Sequence, residues 1–306
     1  AVVTVSGGLN AAEAEAAIER EKVALNRPSI GDAPELRAAL FDALPGRDGG
    51  LAPILPDLLG EAALIVAWGD GAAGVQAIAR AATAKRDAVV RVVIRACQDF
   101  LIRGQRAPLV WLEAIRAEIA DLEGLIALAN AMPAQTVELR ETALVAMEAI
   151  VAQLRQFDPA VESVVAALAM SLNNLSGRLA DLGRRETALA AIEEAVAHYR
   201  TIAQARPDVF LPDLAMALNT LSADLSAVGR REAALAASEE AVAHYRTLAQ
   251  ARPDAFLPDL ATSLNNLSLR LSAVGRREAA LAAIEEAVAT YRALAQAQPE
   301  ALVPRL

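Results

Sequence analysis

The residues Gly69-Asp70-Gly71-Ala72-Ala73-Gly74 have the spacing G-x-G-x-x-G. Between a strand and a helix, such glycines let backbone N–H groups approach a pyrophosphate at the helix N-terminus. Here the apolar run Ala62–Trp68 precedes them and a helical stretch, Val75–Ala84, follows. Asp87, however, precedes the next apolar run instead of closing it, and no strand–helix alternation continues. The spacing is therefore read as a helix–helix turn, and a nucleotide-dependent enzyme built on Gly69–Gly74 is the least favoured reading. The two histidines, His198 and His244, hold equivalent places in a repeat whose third copy has Thr290. A duplicated position suits a solvated rim side chain better than a catalytic or metal-binding one. Cys97, the single cysteine, lies among Val93, Ile94 and Leu101 and is expected to be a buried, inert thiol. One cysteine excludes a disulfide scaffold and a multi-cysteine zinc site. No catalytic, metal or cofactor residue is assigned, and the chain is read as a non-enzyme.

Binding chemistry has more material. Asn173-Asn174, Asn219 and Asn265-Asn266 recur in helical stretches, where propensity does not favour asparagine. An amide both donates and accepts, so a ladder of them can grip peptide backbone without demanding sequence. Arg178 and Arg270 follow within five residues and add charge. The competing reading is that some of these amides bond to the neighbouring hairpin and hold the stack, and both remain open. Arg184-Arg185, Arg230-Arg231 and Arg276-Arg277 form a possible basic ladder. Glutamates follow each pair at once and again about one heptad on, so mutual surface pairing is the default.

These residues sit on a repeat. Gly183, Gly229 and Gly275 are 46 residues apart, and Tyr199, Tyr245 and Tyr291 keep the same step. So do Leu172, Leu218 and Leu264, and Pro207, Pro253 and Pro299 close the units. In the first half of a unit, Leu218, Leu221, Leu225 and Val228 share one helical face. Pro212 suits a first helical turn, and Gly229 ends the helix with a left-handed cap. A second helix carries Ala234, Leu235, Ala241, Val242, Tyr245 and Leu248 and ends before Pro253. One hairpin cannot bury its apolar face alone, so neighbours must stack into a superhelix, expected to be right-handed with first helices lining a concave face.

The series Leu264, Leu267, Ser268, Leu271, Gly275, Ala280, Ile284, Ala287 resembles the tetratricopeptide repeat, and the wording SLNNLS…GRREAAL resembles its kinesin-light-chain type. The resemblance spans residues 159–306 and implies an all-α helical-hairpin solenoid that binds a protein or peptide ligand. Placed on that pattern, Asn173, Asn219 and Asn265 fall on the concave side. The second helix runs about two turns longer than the family's common unit, carrying Tyr291 and Leu294, which widens the groove.

Residues 66–158 read as degenerate helical pairs leading into the solenoid, with apolar faces on Val89–Leu101, Leu109–Ile119 and Leu139–Leu154. In residues 1–65, helices are expected over Glu13–Leu25 and Pro34–Leu44, the second capped by Asp32. A short hairpin is expected around Gly49–Gly50, then a helix opening at Asp57. This order is that of a small winged-helix-like module. The stretch GGLAPILPDLLGE resembles the segment after the nucleotide-binding domain of bacterial STAND signal-transduction NTPases, which couple a sensor superhelix to an ATP-driven switch. No G-x-x-x-x-G-K-[ST] occurs in the chain.

Composition bounds the rest. Of 306 residues only 3% are aromatic but 55% are hydrophobic, and this ample apolar surface disfavours disorder. A net charge of -9 disfavours nucleic acid, and no apolar run is long enough for a membrane span. The start, at Ala1, has no basic segment or cleavage site, and the end stops within a fourth repeat. The chain is thus read as a cytoplasmic fragment of a longer protein, a sensor region of a bacterial signalling ATPase. The rival is a self-assembly scaffold, with a homo-oligomer as its product.

Overall fold

The structure is a computed structural model that describes residues 2–6, 8–24, 32–41, 44, 51, 57–133 and 137–297. Two compact units are present, Ala1–Ala149 and Ile150–Leu306. The described elements are helical, apart from one isolated antiparallel bridge between Leu9 and Leu51.

In the N-terminal unit the short helix α1 (Val2–Val5) precedes α2 (Ala11–Ala24). Asn10 caps α2 reciprocally with Glu13: each backbone N–H reaches the other's side chain at 2.9 Å. The helix α3 (Ala33–Phe41) has the expected cap, with the Asp32 carboxylate accepting from the Glu35 N–H at 2.8 Å. The hairpin expected around Gly49–Gly50 lies outside the described residues. The helix α4 (Asp57–Trp68) includes the apolar run before the glycines, so no strand feeds them. Gly69 at φ +56° then turns the chain, and Gly71 caps α5 (Ala72–Phe100). The G-x-G-x-x-G spacing is a helix–helix turn, pinned by the Trp111 indole donating to the Gly69 carbonyl at 2.7 Å. The helix α5 is kinked at Lys85, whose ammonium reaches Glu13 at 2.7 Å.

Along α5, Val89, Val93 and Cys97 are fully buried, and burial pushes the Cys97 thiol up to about 12, the inert state expected. Glu61 of α4 is buried with them. It pairs with Arg95, while its second oxygen has no hydrogen-bond partner. Burial and the nearby Asp99 raise its carboxyl to about 7 despite Arg95. The helices α6 (Ala107–Glu118), α7 (Leu122–Ala131) and α8 (Arg140–Leu154) follow. Trp111 and Leu112 fill the core, with Trp68 packed edge-on to Trp111 at 6.0 Å.

The C-terminal unit contains α9 (Glu162–Asp181), α10 (Arg185–Ala205), α11 (Pro207–Ala227), α12 (Arg231–Ala251), α13 (Pro253–Ala273) and α14 (Arg277–Ala297). Each packs on the next, forming three successive hairpins. The three turns are alike. Gly229 sits at φ +81°, its N–H donates to the Ser226 carbonyl at 3.1 Å, and the Arg230 N–H donates to Leu225 at 2.8 Å. These two bonds close a Schellman cap, for which glycine avoids the Cβ clash of a left-handed residue. Pro212 departs from expectation. The helix begins five residues earlier, with Pro207 in its first turn, and Pro212 lies inside it; Pro253 and Pro258 repeat this in α13. Thus Pro207 and Pro253 open the next first helix as well as closing the unit before. Val242, Tyr245 and Leu248 of α12 meet Leu260 and Leu264 of α13 in one buried cluster. Each such aliphatic side chain contributes about 1.5–3 kcal/mol.

Candidate interaction face

The first helices α9, α11 and α13 lie side by side, and polar bonds tie them across the repeats. The Ser176 hydroxyl of α9 donates to Asp224 of α11 at 2.5 Å. From α13, Arg270 donates to Ser222 at 3.2 Å and to Ser226 at 2.7 Å. Asp224 and Arg270 are equivalent repeat positions, and each reaches back to the serine two places before its counterpart in the preceding hairpin. Burial raises the Asp224 carboxyl, opposed by the Ser176 hydroxyl, and lowers the Arg270 guanidinium.

The asparagines divide in two. Asn219 accepts from the Ser263 hydroxyl of α13 at 3.0 Å, so this amide oxygen bridges neighbouring hairpins. Asn173 has a buried amide oxygen with no partner. Ser263 stands 46 residues after Ala217, and alanine there has no hydroxyl to offer Asn173. Asn265 is half-buried, and its backbone carbonyl accepts from Ser268 at 2.8 Å. Asn174 of α9 is exposed, and its repeat equivalent Asn266 of α13 is half-buried. Arg178 is half-buried. The seven candidate residues therefore share the first helices, but Asn219 and Arg270 make bonds within the stack.

Sequence reasoning missed three side chains on this face. Met170 is 52%, Met216 42% and Leu269 55% exposed. Met170 and Met216 are repeat equivalents, with Thr262 third; Leu269 answers to Gly177 and Ala223. The available signal was variation between copies. Core positions keep their type, as Leu172, Leu218 and Leu264 do, while these positions change.

The second helices are different. Arg200 pairs with Glu240 at 2.6 Å and Arg246 with Glu286 at 2.7 Å, each bridging adjacent repeats. The arginine pairs join in, Arg230 to Glu193 at 3.7 Å and Arg276 to Glu239 at 3.3 Å. His198 and His244 lie exposed enough to approach Glu194 and Glu240, at 3.8 and 3.7 Å. Mutual pairing thus occupies those arginines and glutamates, across hairpins. Tyr199 and Tyr245 are buried, whereas Tyr291 of α14 is 44% exposed and meets Thr262 at 2.9 Å. Among the described residues, no group of three or more His, Cys, Asp or Glu is placed to hold a metal ion. No described helix is long and apolar enough to cross a membrane.

Residues 168–205 and 260–298 match the sequence profile of the tetratricopeptide repeat. The chain carries tetratricopeptide repeats. The hairpin α11–α12, in the same 46-residue register, stands between the two matched stretches. Tetratricopeptide repeats generally mediate protein–protein interaction, and the fold is usually a non-enzymatic scaffold. Among solved structures, the chain is similar to BtubC (BKLC) from P. vanneervenii, with 17% identity over 79% of this chain and 93% of that one, at a TM-score of 0.48. It is similar to a Podosopora anserina kinesin light chain with nearly identical TPR-like repeats, at 21% identity, 68% and 96% coverage and a TM-score of 0.47. It is also similar to MamA, at 14% identity, 64% and 94% coverage and a TM-score of 0.42. No curated protein sequence matches the chain.

Proposed function

We propose that the tetratricopeptide repeats bind a protein or peptide partner on the solvent-facing side of their first helices, the concave groove of the superhelix. The observation that carries this reading is the contrast between the two helix sets. The second helices satisfy their charges between neighbours. The first helices, beside their own bonds between repeats, present exposed Met170, Asn174, Met216 and Leu269, uncharged side chains with no charge to pair. Exposed apolar side chains grouped with amides favour recognition. The ligand set is Asn173, Asn174, Arg178, Asn219, Asn265, Asn266 and Arg270, within which Asn174 and Asn266 are best placed to touch a ligand directly. The test compares capture of partners by the parent and by an Asn174→Ala, Asn266→Ala variant of equal circular dichroism. Loss of one specific partner from the variant supports the reading, and equal capture moves recognition elsewhere.

In the wider reading, the region is the sensor of a bacterial STAND-type signalling ATPase, and partner binding biases its packing against the switch. The wording GGLAPILPDLLGE, which runs into α4, supports it. In this reading the present chain itself hydrolyses no ATP, and measurable turnover by it contradicts the assignment.

A second reading is a self-assembly scaffold whose repeats pack against copies of themselves. Sedimentation velocity over a range of concentrations, with and without a designed capping helix after α14, decides it. A mass that rises with concentration in both cases supports assembly, and a rise only without the cap counts against it.

A further inference from the structure

We infer that the first-helix face is built for an extended, uncharged peptide whose aliphatic side chain seats over Gly177, an inference that rests on the binding face proposed above. Gly177 lies well inside α9, where glycine is unfavourable compared with alanine. A Cβ added there would meet nothing within 4 Å, and its φ is not left-handed. Neither packing nor backbone conformation therefore demands glycine. The same place holds Ala223 in α11 and Leu269 in α13, so the repeat accepts a side chain as large as leucine. What the glycine leaves is an open seat against the α9 backbone.

The surroundings of that seat point to the ligand. Met170 and Asn174 lie seven and three residues before Gly177, on the same helical face. Met216 stands at the equivalent place on the adjoining helix, and both methionines are exposed. Methionine's flexible thioether moulds itself around aliphatic groups. The central positions 170, 174 and 177, with their equivalents in α11 and α13, carry no charged side chain. Charge borders them instead. Asp213 and Asp259 lie at one end, and Arg178, Asp181, Asp224 and Arg270 at the other. Of these, Asp224 is taken by Ser176, and Arg270 by Ser222 and Ser226. A charged ligand group would lose its water on entering the neutral, partly apolar centre of this strip, away from the charges at its two ends. An aliphatic side chain loses nothing by entering. Asn174 and Asn266 flank the strip with donors and acceptors suited to main-chain amides, which an extended peptide leaves open. Leu269, in place of glycine, fills the seat at α13 and sets the position of the aliphatic group at the α9 and α11 end.

The chain's four methionines are Met132, Met147, Met170 and Met216, which gives a direct readout. With 13C-methyl methionine, the whole chain is titrated with a blocked peptide of alternating leucine and serine, and with the same peptide bearing glutamate for leucine. The expected result is that the leucine peptide shifts the Met170 and Met216 signals and leaves Met132 and Met147 in place. Gly177→Leu fills the seat while raising helix propensity, so it should fold and weaken binding by about tenfold or more. An Asn174→Ala, Asn266→Ala variant separates the two levels of the claim. Binding lost there but unchanged in Gly177→Leu overturns the seat and leaves the face standing. No shift with the leucine peptide, or stronger shifts with the glutamate peptide, overturns the inference. Partner capture that depends on Asn174 and Asn266 would still uphold the wider reading in that event.

Discussion

Ser263 donates its hydroxyl to the Asn219 amide oxygen at 3.0 Å, joining the first helices of two successive hairpins. One repeat earlier the same geometry finds Ala217, and the Asn173 oxygen is buried without a partner. A single hydroxyl separates a satisfied junction from an unsatisfied one. Ser263 is itself fully buried, so the site has room for the oxygen. Ala217→Ser should therefore stabilise the C-terminal unit by about 1 kcal/mol, and Ser263→Ala should destabilise it by about 1–2 kcal/mol. Urea denaturation followed by tyrosine fluorescence checks both, since all three tyrosines lie in that unit.

Gly177→Ala should raise stability by about 0.5–1 kcal/mol, because the added methyl meets open space and removes backbone freedom from the unfolded chain. The same denaturation experiment measures it. A loss of stability would show that the α9 surface is occupied in a way the structure does not contain.

Much of this architecture was legible from spacing. The 46-residue step of glycines, tyrosines and leucines located the hairpins and their left-handed caps. Asp32 and Asp57 marked helix starts that the structure keeps. Pro212 was misread because proline at a helix start and proline five residues inside one look the same in sequence; only the position of Pro207 decides between them. The asparagine ladder was legible as a ladder but not as a division of labour. Asn219 and Asn174 have the same chemistry, and whether an amide meets a neighbouring serine or solvent depends on packing between hairpins. Met170 and Met216 were hidden for a related reason. An exposed methionine among alanines and leucines looks like core until the face it occupies is known.

The N-terminal unit should lose stability as pH rises from about 4.5 to 7. Glu61 has its folded carboxyl raised from 4.5 to about 7, chiefly by burial. Between these values the folded state binds the extra proton, so the stabilisation is complete below the unfolded value and lost above the folded one. The loss is on the order of 2–3 kcal/mol. Both tryptophans, Trp68 and Trp111, lie in this unit, so tryptophan fluorescence in urea reports it alone. Glu61→Gln should flatten the profile, and an unchanged profile would assign the dependence to another group.

The inter-repeat ion pairs should matter little. Arg246 and Glu286 are half-exposed and water-screened, so Arg246→Ala should cost less than about 1 kcal/mol, and less still in high salt. Leu264, fully buried between α12 and α13, should cost about 2–5 kcal/mol as Leu264→Ala. Parallel denaturation of the two variants compares them, and equal costs would mean that charge, not apolar packing, holds the hairpins together.

The most direct measurement places a photo-crosslinking residue at Asn266, on the first-helix face, and separately at Arg292, on the last second helix, and exposes both proteins to lysate of the source cell. The account predicts that one specific partner crosslinks through position 266, is lost when Gly177→Leu is added, and is absent at position 292. A partner captured equally at both positions, or only at 292, would contradict recognition by the first helices.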